Sequence, residues 1–204
     1  MLAIRLALTV LVTCLGTQAV STEPLISKSY SYYSVSGQTS TELERELWRS
    51  GPELAETGTR HPGATRIKMS RTISFEETPD RCRVSNVSIR LETNLTLPRW
   101  TDQAKADRKA KLVWLTLSSD IKRHEERHAE IARQWSRKLE NALKGLKPMQ
   151  DCPRMQAKVE AVSKTILEKH SADQDRFDRV EAASFERRIK RILRYKASQM
   201  RTDG

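Results

Sequence analysis

Two of the chain's four histidines stand four residues apart, in the run His124-Glu125-Glu126-Arg127-His128. The run fits the pattern H-E-x-x-H. On a helix, positions four apart differ by about 40° around the axis, so both imidazoles project from one face, one turn apart. Two such rings can share one zinc ion. Glu125 lies about 100° further round, beside the metal, where it can take a proton from a zinc-bound water and return it to a leaving amine. His124 and His128 are therefore candidate ligands and Glu125 a candidate catalytic base. A plain solvated helix would carry similar charges. The wheel argues against it: Leu117, Ile121, Ile131, Trp135, Leu139 and Ala142 form an apolar stripe, and the two histidines fill its gap. Inward-facing imidazoles need partners. A metal would serve both, and so would carbonyls or carboxylates.

A catalytic zinc needs a third protein ligand and an open position. Downstream stand His170 and the acids Asp173, Asp175, Asp178 and Glu181. If the two long helices turn near Met149, His128 is level with His170, and Glu181 lies on the order of 10 Å beyond His124 along the axis. His61 falls in a loop and reads as a surface residue.

The elements that must position these groups follow from periodicity. Residues 30–36 suit a strand. Thr39 and Glu42 make a capping-box pair that opens a helix over 40–50, closed by Gly51-Pro52. Residues 67–75 and 87–97 alternate apolar and polar, as half-buried strands do, and Pro79-Asp80 marks the turn of an antiparallel hairpin. A helix is expected from about Lys105 to Lys144, with a candidate break at Ser118-Ser119. Asp151 and Pro153 begin another toward Arg194, with a candidate interruption at Ser171-Ala172. The expected fold class is α+β: a small antiparallel sheet packed with a long helical hairpin that carries the H-E-x-x-H run.

Residues 1–19 carry an address. Arg5 precedes an apolar run over 6–16, and Thr17-Gln18-Ala19 offers small residues for cleavage, as in a signal peptide. The run is short for a membrane span, so the mature chain, residues 20–204, is expected to have no transmembrane segment and to work in the periplasm or outside the cell. Leu11-Val12-Thr13-Cys14 is a loose match to a lipid-attachment motif. Cys82 and Cys152 remain after cleavage, and an even pair in an oxidising compartment reads as a disulfide. The formal charge is +11, which favours an anionic envelope surface as partner. No nucleic-acid motif accompanies it. Arg187, Arg188, Lys190, Arg191, Arg194 and Lys196 make the C-terminal helix basic.

Several segments in this order resemble a bacterial family of otherwise unknown function described as predicted secreted zinc-dependent proteases. They are Tyr33-Ser34-Val35-Ser36-Gly37, Gly51-Pro52, Cys82-Arg83-Val84, Leu97-Pro98-Arg99-Trp100, the His124–His128 run and Phe177-Asp178-Arg179-Val180-Glu181. The resemblance implies an exported zinc hydrolase with a protein or peptide substrate, His124 and His128 as ligands and Glu125 as base. It departs in one place. The family's downstream element continues into a His-Gly pair, whereas this chain continues Glu181-Ala182-Ala183. That raises Glu181 as third ligand, with His170 as its competitor. The alternative function is a non-catalytic envelope protein that keeps the fold and binds anionic partners.

Overall fold

The computed structural model describes residues 25–54 and 58–202, without the side chains of the last three. The expected signal peptide and Cys14 lie outside the described residues. Three strands and three α-helices make an α+β fold: β1 (Leu25–Val35), α1 (Ser40–Ser50), β2 (Ala64–Thr78), β3 (Arg81–Trp100), α2 (Arg108–Lys144) and α3 (Cys152–Thr202). A short 3-10 turn at Gln103–Lys105 leads into α2.

The β2–β3 hairpin is antiparallel, as its alternation predicts. The sheet as a whole is mixed, which corrects the expectation of an antiparallel one. β1 pairs parallel to β3, with Tyr30 opposite Leu95, and the order is β1-β3-β2. On central β3, Val87, Ile89, Leu91, Thr93, Leu95 and Leu97 are buried, so one parity faces the helices. Leu139, Leu143, Met155 and Val159 pack with Cys82, Val87 and Ile89, while Ala129 packs with Leu95 and Leu97. At the far end, α1 presents Leu43 and Leu47 to Val35, Trp100 and Ala110. Its start is the expected capping box between Thr39 and Glu42.

Both long helices run without the candidate breaks. In α2, Thr116 and Ser119 donate their hydroxyls to the carbonyls of Leu112 and Leu115. Such bonds one turn back let hydroxyl residues sit inside a helix. Asp151 Oδ1 accepts from Arg154 N at 2.8 Å and caps α3. The connection is anchored to the sheet. Cys82 and Met149 exchange two backbone hydrogen bonds, of 2.7 and 2.9 Å, and the Cys82–Cys152 disulfide lies beside them.

A second lock sits halfway along the hairpin. The Asp120 carboxylate, 6% exposed, accepts from Arg188 at 2.9 and 3.0 Å and from Arg123 at 3.1 Å. Glu181 also accepts from Arg123 and forms an ion pair with Arg188. Burial alone would raise the Asp120 carboxyl, but hydrogen bonds from Arg188 and the charges of Arg123 and Arg188 win and hold it below the ordinary range.

Two stability tests follow. The disulfide closes a separation of 70 residues, for which unfolded-state entropy predicts about 4 kcal/mol. A Cys82→Ser/Cys152→Ser variant should lose that much in chemical denaturation, and a reductant should lower the wild-type midpoint without moving the variant's. Asp120 has a depressed folded pKa, so its contribution is present above the unfolded pKa and is lost as pH falls through the folded one. Asp120→Asn should cost about 2 kcal/mol at pH 7, because Arg188 and Arg123 lose one of their two charged partners and keep only Glu181. The gap to wild type should close below about pH 4, in the titration range of a carboxyl. A gap that persists to pH 2 would refute the assignment.

Candidate metal centre

α2 is wedged between the sheet and α3, and successive residues serve different neighbours. His124 and His128 face α3. The His124 ring stacks on Phe177 with centroids 4.9 Å apart, and the His128 ring meets the same phenyl edge-on at 5.1 Å. The two Nε2 atoms are 3.0 Å from each other. Asp178 Oδ1 lies 3.3 Å from His124 Nε2 and 3.0 Å from His128 Nε2. Among the described residues, these three side chains form the one group with metal-ligand chemistry.

The pair is the one expected, and the structure brings Asp178 to it. Glu181 comes near the other ring nitrogen of His124, with Oε2 at 3.9 Å from Nδ1, and is engaged by Arg123 and Arg188. The expected offset of Glu181 along the axis is not observed. His124 meets Phe177 and Asp178, about one turn further along α3 than a turn centred on Met149 would set. Met149 is drawn to Cys82, and the helix resumes only at Cys152, so the pivot falls later in the chain. His170 reaches His128 only through Gln174. Gln174 Oε1 is 2.7 Å from His128 Nδ1, and Gln174 Nε2 is 2.9 Å from His170 Nε2. His61 sits by Thr59 and Trp48 and joins no part of the site.

Glu125 points to the sheet and is buried. Its Oε2 accepts from Thr65 Oγ1 at 2.8 Å. Gly63 makes the hollow: a Cβ there would stand 2.8 Å from Glu125 Oε1 and 2.7 Å from Ile121 Cγ2. Burial pushes the Glu125 carboxyl up, against the Thr65 hydrogen bond and the two histidines. For Asp178, burial is outweighed by its contacts with both imidazoles, which hold it well below the usual carboxylate range. For His128, burial is likewise outweighed, by Asp178 and Gln174, and its pKa is raised. Next to the cluster, Glu126 is held by Lys28 and Tyr30 of β1. An open cleft of about 470 Å³ runs alongside, with Arg123, Arg127, Phe177 and Glu181 in its lining.

The donor set fits a zinc ion. Zinc bonds of about 2.0–2.2 Å in a tetrahedron place ligand atoms about 3.3–3.6 Å apart. The separations of 3.0, 3.0 and 3.3 Å lie within a few tenths of that. Two imidazole nitrogens and a carboxylate oxygen drawn so close also call for a proton or a cation among them. Glu125 was expected from the motif, and Asp178 was among the acids weighed. Gly63, Thr65 and Gln174 were missed. Pro62-Gly63 before a strand reads as an ordinary turn, and neither Thr65 nor Gln174 has a charge or a spacing to mark it.

The family model described as "Bacterial protein of unknown function (DUF922)" matches residues 30–186. This bears out the resemblance as far as the bacterial family; its description names no protease activity. No curated protein and no solved structure matches the chain.

The geometry ranks the third donors. Asp178→Ala should weaken zinc binding by more than the roughly 10–100-fold expected for losing a residue behind a ligand. Glu181→Gln should stay within that range. Competition titrations against a chromophoric chelator decide it, and the reverse ranking would move the third ligand to Glu181.

Proposed function

Since the chain belongs to the bacterial family of unknown function matched over residues 30–186, we propose a function from its own site: a zinc-dependent hydrolase, exported, acting on peptide bonds. The observation that carries this reading is the close triangle of His124 Nε2, His128 Nε2 and Asp178 Oδ1. Two imidazoles and one carboxylate are a donor set of catalytic zinc sites, which leave a fourth position open. When bound, zinc supplies Lewis-acid chemistry, polarising a carbonyl and bringing the pKa of a water near 7.

The remaining roles fall to the chain's own groups. Glu125 follows the first ligand on the same helix and is the proton carrier. Its raised pKa moves it toward the operating pH, where a carboxyl takes and returns a proton most readily. Thr65 fixes its orientation, and Gly63 leaves it room. An open cleft lined by Phe177 and Glu181 lies next to the donors and offers room for a substrate. A His-His-Asp set also suits ferrous oxygenases. The buried glutamate beside the pair has its use in moving protons during hydrolysis and favours zinc. The signal-peptide pattern and the Cys82–Cys152 disulfide support a periplasmic or extracellular site of action.

The second reading, an envelope protein that binds anionic partners without catalysis, is favoured by Arg187, Lys190, Arg191 and Arg194, all exposed on α3. One set of measurements separates the two. The mature protein, beginning after Ala19, should hold one equivalent of zinc by elemental analysis and cleave members of a peptide library. Glu125→Gln should keep the zinc and lose about 10²–10⁴-fold in rate. Gly63→Ala should also keep zinc and lose rate, because its methyl displaces the Glu125 carboxyl. Protein without zinc and without cleavage sinks the hydrolase reading and leaves the envelope protein. Iron in place of zinc sinks it too.

A further inference from the structure

His170 is a partly buried histidine that the proposed chemistry does not use. It lies one turn before Gln174 on α3, and Gln174 reaches across to His128. We propose that Gln174, itself held by His170, is the positioning residue that fixes which nitrogen of His128 faces the metal. The consequence for metal affinity rests on the zinc reading above. The assignment of the His128 tautomer rests on hydrogen bonds alone.

The two ends of a carboxamide cannot exchange roles: its oxygen accepts and its nitrogen donates. The backbone carbonyl of His128 can only accept, and it lies 3.2 Å from one end of the Gln174 amide. That end is therefore the NH2. Its second hydrogen is directed to His170 Nε2 at 2.9 Å, so this nitrogen accepts and the His170 proton sits on Nδ1. Burial holds His170 below the usual histidine pKa, which keeps it neutral and able to accept. With both hydrogens committed, the Gln174 oxygen faces His128 Nδ1 at 2.7 Å and accepts from it. His128 Nδ1 must then carry a proton, and Nε2 is the nitrogen turned toward Asp178 and His124. Turning the amide over would set its oxygen against the His128 carbonyl and lose the bond that holds it. The order of command runs from the His128 carbonyl through the Gln174 amide to the two imidazoles.

A ligand histidine whose outer nitrogen loses its partner binds metal roughly 10–100-fold more weakly. Gln174→Leu removes the acceptor. Gln174→Glu keeps an acceptor for the Nδ1 proton but gives up both donated hydrogens, so its second oxygen is set against the His128 carbonyl. Zinc affinity should fall about 10–100-fold in Gln174→Leu and by a smaller factor in Gln174→Glu, which keeps the acceptor alone. The second readout is the nitrogen–proton correlation spectrum of the imidazoles in metal-free protein above the His128 pKa. Wild type and Gln174→Glu should show His128 protonated at Nδ1, and Gln174→Leu should lose that form. Unchanged zinc affinity together with an unchanged His128 spectrum in Gln174→Leu overturns the inference. If wild type binds no zinc, the hydrolase reading falls and the spectra alone decide. Loss of the Nδ1-protonated form in Gln174→Leu then supports the role of Gln174, and its persistence refutes it.

Discussion

Successive residues of a helix point about 100° apart, and His124 and Glu125 are held by different neighbours. The roles proposed for the two residues therefore draw on structure on two sides of the helix. In this fold α2 meets α3 on the histidine side and the sheet on the glutamate side. Phe177, Gln174 and Asp178 answer the histidines. Gly63 and Thr65 answer the glutamate. The apolar core clusters fasten α2 to β3 at Ala129, Leu139 and Leu143, which holds the Glu125 face down. What fastens α3 over the other face is more polar.

That polar fastening is a group of charges in place of a longer apolar seam. Asp120 and Arg188 are 6% and 13% exposed, and Glu181 and Arg123 complete the set. Buried ion pairs recover little stability over apolar packing, because desolvation consumes most of the attraction. They do penalise misplacement, since a slipped register leaves a charge unpaired in a poor solvent. At this point of the hairpin such a penalty has a use. Glu181 is bound to the arginines and stands 3.9 Å from His124 Nδ1, so the register lock and the site share a residue. A one-turn slip of α3 would take Asp178 and Gln174 away from the histidines together.

Much of this was legible in the residues. The capping box at Thr39 and Glu42, the β2–β3 hairpin, the Asp151 cap and the cysteine pair each have a local signature, and each is present. The parallel pairing of β1 has none, because alternation reports which face is buried and says nothing of strand direction. The continuity of α2 and α3 was hidden by serines that also suit helix ends. The partner of the histidines depended on where the hairpin pivots. That in turn depended on Met149 pairing with Cys82 across the fold, a contact with no trace in local sequence. Gln174 was invisible for a different reason. An uncharged amide is an ordinary helix residue until its three partners are seen around it.

The Glu125 side of α2 is the costlier one. A carboxyl whose folded pKa is raised withdraws stability as pH climbs through that value, because the folded state disfavours the ionised form. Gly63 adds to the cost, since glycine surrenders more backbone freedom on folding than other residues. An alanine at 63 and an apolar residue at 125 would fill the same hollow with no charge to desolvate. A strand-to-helix contact built for stability alone would have that composition. The hollow holds instead an ionisable group, a hydroxyl aimed at it and space for its carboxylate. Stability given up at one buried point, next to His124, is consistent with the proton-transfer role proposed for Glu125.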